Sequence, residues 1–445
     1  MDYKVLASDL VNKCRAKGAE KAEIYIEIGR ELSIEVRNGE LETVQEASSH
    51  GVGVRVFRQG RLGFAHCNDL SESALDNTLL QAVEFAKNAT PDDNNVLPES
   101  SAISPVDHLY DPSISQVPMP DKIALAKEVE SLAVKDARIS KSAGAAYFET
   151  ESEVFIVNSH GLSNSSRTSI CGFGVSVVAE KGDQKSSGSE SCRRRFFGDL
   201  KSADSIASEA ARKAYEMLDP RMINTQKAPV IFHPDVAFSL LGGLLAAVNG
   251  ERVLQGASFL GERMRQRIGS ENITIIDDGI RPRGLGSSPF DGEGVATRKS
   301  IIVENGILQQ FMYNANAAHR AGKESTGNAV RGGFTNLPGI GAHNFYLKAG
   351  TMSPEEILRA TPRGLLLKNV TGYGINPVNG NFSGGAAGFW IENGRIAFPV
   401  KGLTVAGTAD EMLAGIDMLG NDLDKNLSLT APTIRIRTLQ IGGDN

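Results

Sequence analysis

The stretch that decides the fold lies near the N-terminus. Ala22-Glu23-Ile24-Tyr25-Ile26-Glu27-Ile28 alternates apolar and polar residues, and Leu32-Ser33-Ile34-Glu35-Val36-Arg37 does so again before Asn38-Gly39. Alternation with period two is the pattern of a half-buried strand, and Asn-Gly is the strongest short hairpin signal. Upstream, Val5 to Lys17 has helical spacing and ends at Gly18, a helix C-cap residue. Downstream, Gly51 to Phe57 continues the strand pattern, Gln59-Gly60 turns, and Leu62 to His66 returns. A helix is predicted from Ser71 to Asn88. This unit is therefore helix, antiparallel strands, helix.

Residues Pro91 to Pro120 hold six prolines and read as a long connector. The order then repeats: a helix over Asp121–Lys135, strands from Gly144 to about Gly198 with a turn at Asn158-Ser159-His160-Gly161, and a helix over Ala203–Leu218. The spacing, about 100 residues, is too long for a solenoid repeat. The segment from Asp219-Pro220 to Lys227-Ala228 marks a boundary, after which glycine is denser and Glu-Asn-Gly hairpins recur at Asn305-Gly306 and Asn393-Gly394. Helices are predicted at Pro234–Val248, Phe259–Ile268, Asn314–Ala321, Pro354–Ala360 and Asp410–Leu419. The expected fold is α+β in two domains: residues 1–222, with the 91–120 connector, and a mostly antiparallel domain with helices over 223–445.

Composition narrows the function. Lys and Arg number 47 against 53 Asp and Glu, a net charge of −6, which argues against a phosphate-binding surface and direct nucleic-acid contact. The basic run Arg193-Arg194-Arg195 sits in a strand-like segment and is read as a solvated strand end or as the source of inter-domain salt bridges. Cys14, Cys67, Cys171 and Cys192 form no CxxC pair and suit reduced thiols in a cytoplasmic protein. The N-terminal residues lack a signal-peptide pattern, and the longest apolar run, Phe238 to Val248, is far short of the roughly 20 residues that cross a bilayer.

Nucleophile and phosphate-loop motifs are absent: there is no GxSxG or GxxxxGK[ST]. His66 and Cys67 are strand neighbours and point to opposite faces. Gly284-Leu285-Gly286 and Gly384-Gly385-Ala386-Ala387-Gly388 read as tight turns and close strand packing. Two acidic clusters stand out, Asp277-Asp278 at a strand end and Asp291-Gly292-Glu293-Gly294 in a loop. Alternate carboxylates can bind a hard cation or move protons, and can equally fix a loop by accepting backbone N–H bonds.

The segment SSPFDGEGVATRKSIIVENGILQQFMYNANAAHRAGKESTGNAVRGG, residues 287–333, resembles the TldD/PmbA family through Asp291-Gly292-Glu293-Gly294, Val303 to Leu308 and Thr326-Gly327-Asn328. Gly380 to Gly388, Glu392-Asn393-Gly394, Gly420-Asn421-Asp422 and the N-terminal RNGELETVQEASSHGVGVRVF fit the same pattern, so the resemblance spans nearly the whole chain. It implies, in the catalytic branch, a His-Glu-x-x-x-His helix and a C-terminal cysteine that hold zinc. An ungapped alignment on Phe259 to Arg267 puts Leu241 and Ala246 at the histidine positions and Gly242 at the glutamate. No histidine lies between His233 and His319, and no cysteine follows Cys192. The chain therefore resembles the PmbA/TldE branch, which lacks this motif.

What the resemblance implies is a non-catalytic subunit of a zinc metallopeptidase. Zinc is expected in a TldD-like partner and no cofactor in this chain; the substrate would be an unfolded peptide, held by strand addition to an open sheet edge. Peptide maturation or antitoxin turnover is the implied role, and a homodimer is also compatible. Asp291, Glu293, Thr326 and Asn328 are the candidates for the cleft wall. Two alternatives stand beside it: a self-sufficient hydrolase using Asp291 and Glu293 with Asp277 or Asp278, and a regulatory protein acting indirectly on DNA gyrase.

Overall fold

The computed structural model describes residues 1–445 except Ser101, Ser104, Tyr373 and Asn445, so two positions of the Pro-rich connector lie outside the described residues. The opening stretch forms β1 (Lys21–Arg37), and β2 (Glu40–Arg58) returns beside it. Asn38 and Gly39 join them with φ of 53° and 77°, the twist-matched turn that Asn-Gly favours. The Glu130 carboxylate accepts from both turn amides, at 2.9 and 2.8 Å. With β3 (Arg61–Cys67), β4 (Ile139–Asn158), β5 (Ser163–Lys181) and β6 (Gln184–Arg194), these strands form one antiparallel sheet of order β3-β2-β1-β4-β5-β6.

The alternation read from β1 assigns its faces. Ile24 and Ile26 pack under α1 (Tyr3–Ala16) and α2 (Glu72–Asn88), while Leu32, Ile34 and Val36 pack under α3 (Met119–Ala133) and α4 (Ala203–Tyr215). All are even-numbered, so all four helices cover one face. The odd-numbered Tyr25 lies on the other face and meets Leu162 and Phe290 from the loops beyond it. Cys14 and Cys171 are buried, and burial pushes both thiols up to about 12, so they are inert core residues.

The second half begins with β7 (Gln226–Phe232), α5 (Pro234–Ala247) and α6 (Gly250–Leu254). Strands β8 (Ile275–Asp278), β9 (Lys299–Glu304) and β10 (Ile307–Leu308) follow, then α7 (Ala315–Arg320), β11 (Ala329–Val330), β12 (Gly339–Ile340) and β13 (Phe345–Leu347). The chain continues through α8 (Pro354–Arg359), β14 (Arg363–Thr371), β15 (Asn381–Glu392), β16 (Arg395–Thr408) and α9 (Ala409–Gly415) to β17 (Ile416–Leu419), β18 (Leu429–Thr430) and β19 (Ile434–Gly442). One sheet has the order β16-β15-β14-β7-β19-β17, and β16 also pairs with β19, which closes five strands into a barrel. Only β7 and β14 run parallel in it. A second sheet, β10-β9-β8-β13-β18, packs with the barrel and α5 in one apolar core. Mixed helices and mostly antiparallel sheets agree with the α+β expectation.

Two helix expectations need correction. Phe259–Ile268 is a series of turns, with Arg265 at φ 63°. Its backbone bonds to distant segments: Phe259 N to Pro377 O, Arg265 N to Leu308 O and Ile268 N to Gly306 O. Those long-range bonds replace the i to i−4 ladder. The short helix nearby is α6, capped by the Asn249 side chain. Over 410–419, the helix ends at Gly415 and the remainder is strand β17 paired with β19. The glycine-rich segments are close packing: a Cβ on Gly286 would lie 1.8 Å from His343 O, and one on Gly388 2.0 Å from Leu366 O. Among the described residues no helix is long and apolar enough to cross a membrane.

Candidate functional site

The uncovered face of the first sheet carries Gly51, Gly53 and Arg55 at alternate positions of β2. A Cβ on Gly51 would fall 2.2 Å from the Phe334 ring, and one on Gly53 2.4 Å from Phe334 O. Glycine at both positions lets the 331–336 segment of the second half lie directly on the strand. Beside this contact, four charged side chains are almost wholly buried. Arg55 donates through Nε and Nη2 to both oxygens of Glu23, at 3.1 and 2.6 Å, and through Nη1 to Glu293 at 2.9 Å. Arg331 also pairs with Glu23 and donates to Gly292 O at 2.6 Å. The second Glu293 oxygen accepts from Ala315 N at 2.7 Å, at the start of α7.

Two arginines and two carboxylates balance, which is what makes their burial tolerable. Burial would raise Glu23, but Arg55 and Arg331 outweigh it and hold the carboxyl below its usual range. Burial would likewise lower Arg55, and Glu23 and Glu293 outweigh it in the other direction.

The candidate residues read from the sequence are brought together around this network. Asp291 accepts from Glu293 N, Val295 N and Ala329 N at 2.9, 3.0 and 2.9 Å. Burial, with Glu293 next to it, pushes the Asp291 carboxyl up to about 7 against those donors. Thr326 donates to Asn328 Oδ1 at 2.7 Å, and Asn328 donates to Asp277 at 2.7 Å. Asp277 also accepts from His343 N at 2.8 Å, and burial raises its carboxyl. Asp278 is buried, with Lys299 3.9 Å away. Most oxygens in this group already have partners, which makes it a loop-fixing lattice.

An open cleft of about 560 Å³ lies next to the lattice, between β2 and β3 on one side and α6, α7 and β12 on the other. Of the four cleft-wall candidates, Glu293 lines it; Asp291, Thr326 and Asn328 do not and are buried. Sequence reading missed Arg55, Asn249, Arg252, Asn314 and Asn316, which do line it. The signal for Arg55 was present: a lone arginine on the same strand face as two glycines, where a second body had to approach.

The metal positions implied by resemblance offer no donors. Leu241 is 2% exposed in the apolar core, whereas Gly242 and Ala246 are half-buried and a Cβ on Gly242 would meet nothing within 4 Å. The helix is thus core on one side only. The three histidines of this half are engaged separately: His233 Nδ1 accepts from Asp235 N at 3.3 Å, His319 meets Asn94 at 3.0 Å and His343 meets Gly327 O at 2.7 Å. Zinc does not fit these residues.

Helix α5 carries Leu241, Gly242 and Ala246 where the resemblance expects ligands. The chain belongs to the PmbA/TldD family: models of the PmbA/TldA metallopeptidase match as domain 1 over residues 22–86, as the central domain over 112–218 and as the C-terminal domain over 225–443. It is 30% identical to the metalloprotease PmbA of Escherichia coli O157:H7, over 96% of this chain and 93% of that one. The structure of TldE from Thermococcus kodakarensis superposes with a TM-score of 0.90 at 26% identity, covering 98% of this chain and 99% of that one. A Thermotoga maritima protein described as a candidate modulator of a DNA gyrase superposes with a TM-score of 0.89 at 26% identity, covering 99% and 100%.

Proposed function

We propose that this chain is the non-catalytic subunit of a two-chain zinc metallopeptidase. A TldD-like partner holds the zinc, and this chain helps hold an unfolded peptide in the cleft between its two halves, which we take as units 1–222 and 223–445. The observations that support this reading are α5, with Leu241, Gly242 and Ala246 at the expected ligand positions, and an open cleft lined by α6, the helix that follows it. Strand β12 lines that cleft, and among the described residues its only strand neighbour is β11. An extended peptide can add to such a strand through its main chain. The setting proposed is cytoplasmic, in peptide maturation or antitoxin turnover, with a homodimer when the partner is absent.

The test is to purify the chain alone, supply zinc and an unstructured peptide, and then add a TldD-like chain from the same genome. Turnover is expected only in the mixture. Robust chelator-sensitive cleavage by the chain alone would overturn the proposal. The hydrolase alternative is disfavoured because Asp291 and Glu293 are occupied by amides and Arg55. The gyrase alternative rests on an indirect effect, because a chain of net charge −6 lacks the basic surface that DNA contact needs.

A further inference from the structure

The cleft has a charge distribution of its own. Four charged residues line it: Arg55, Glu293, Glu251 and Arg252. Glu293 is neutralised by Arg55, and Glu251 receives Arg320 Nη1 on both oxygens at 2.8 and 2.9 Å. Arg252 is exposed and enters no ion pair among the described residues. Arg55 and Arg331 offset Glu23 and Glu293, and Arg320 meets Glu251, so Arg252 is the lining charge left without an ion-pair partner among the described residues. Phe57, Leu62, Val96 and Leu337 form apolar wall in the same cleft. A volume of about 560 Å³ lies within the roughly 300–1,000 Å³ of ordinary ligand sites.

We infer that the cleft contains a carboxylate subsite at Arg252, and that the peptides it selects carry a carboxylate next to an apolar side chain. Arginine suits this role because its guanidinium meets a carboxylate with two parallel bonds. The carboxylate can be a peptide C-terminus or an Asp or Glu side chain. The inference rests on the reading that the cleft holds peptide, and the test separates the two.

Fluorescence anisotropy of the full chain would use four labelled unstructured peptides. Two share a sequence ending in Leu, as free acid and as C-terminal amide. Two are amidated and carry an internal Asp-Leu or Asn-Leu. In the wild type, the acid of one pair binds about tenfold tighter than its neutral counterpart, the size of one charge-assisted contact, and the pair that shows it names the source. Arg252→Gln removes the difference, Arg252→Lys restores part of it, and added salt shrinks it. Leu337→Trp, at a position 41% exposed, fills the cleft and weakens all peptides. Equal binding within both pairs, with Leu337→Trp still blocking, overturns the subsite and leaves the peptide cleft standing. Binding indifferent to Leu337→Trp overturns both.

Discussion

Arg55 Nη1 donates to Glu293 across 2.9 Å, joining β2 of the first half to a loop of the second, residues separated by 238 positions in the chain. Both side chains are almost wholly buried, so the pair couples the two halves and sets one wall of the cleft. Removing one partner leaves the others charged and dry. Arg55→Ala is expected to cost about 3–5 kcal/mol, the scale of a broken buried ion pair. Urea denaturation measures it, and a loss below 1 kcal/mol would mean that water reaches the network.

The glycines of β2 make a graded prediction. Gly51→Ala presses on the Phe334 ring, which can rotate or shift, whereas Gly53→Ala presses on the Phe334 carbonyl, which cannot move alone. Overpacking of this kind costs about 1–3 kcal/mol, and Gly53→Ala should be the larger loss. Thermal melts of the two variants check the order; a larger loss for Gly51→Ala would reverse the account.

His233 gives a pH dependence whose sign is fixed. Its Nδ1 caps α5 as an acceptor, and burial, with Lys368 beside it, lowers the imidazole to about 4 from 6.5. The unfolded chain takes the proton near pH 6.5 and the folded one refuses it until about 4. Stability from this group is therefore full above pH 6.5 and falls as pH drops toward 4, by about 1–3 kcal/mol for a side chain still partly solvated. His233→Asn keeps a cap acceptor and removes the titration. Between pH 7.5 and 4.5 the wild type should lose more stability than the variant; equal losses would show that His233 does not titrate in this way.

The ligand positions on α5 also differ in cost. Leu241→His forces a polar ring into the core and should cost about 2–5 kcal/mol. Ala246→His, at a half-buried position, should cost less than 1 kcal/mol. Chemical denaturation of the two single variants tests this. Comparable losses would mean that α5 is packed on all sides.

The hairpins were legible because their signals are local: Asn38-Gly39, Asn305-Gly306 and Asn393-Gly394 all adopt positive φ at both turn positions. Barrel closure was not legible, since Thr404 pairs with Gly442 through contacts that no short window reports. Phe259, Leu260 and Met264 have helix-like spacing, but partners elsewhere in the chain take the backbone bonds of their segment. At the site, Asp291 and Glu293 were visible as alternate carboxylates, while the cation opposite them, Arg55, was marked only by sharing a strand face with Gly51 and Gly53. Sequence shows which groups are charged; it does not show which of them face each other.

The link between residues 55 and 293 also bears on synthesis. A ribosome releases Glu23 and Arg55 long before Glu293 and Arg331, and the Phe334 contact comes later still. Until then the nascent first half has helices over one sheet face and nothing over the other, with Gly51 and Gly53 bare. Its final closure must await distant chain, a slow kind of contact to form. A nascent chain stalled before residue 293 should therefore be sensitive to protease along β1 and β2, and should become resistant once residue 334 has left the exit tunnel.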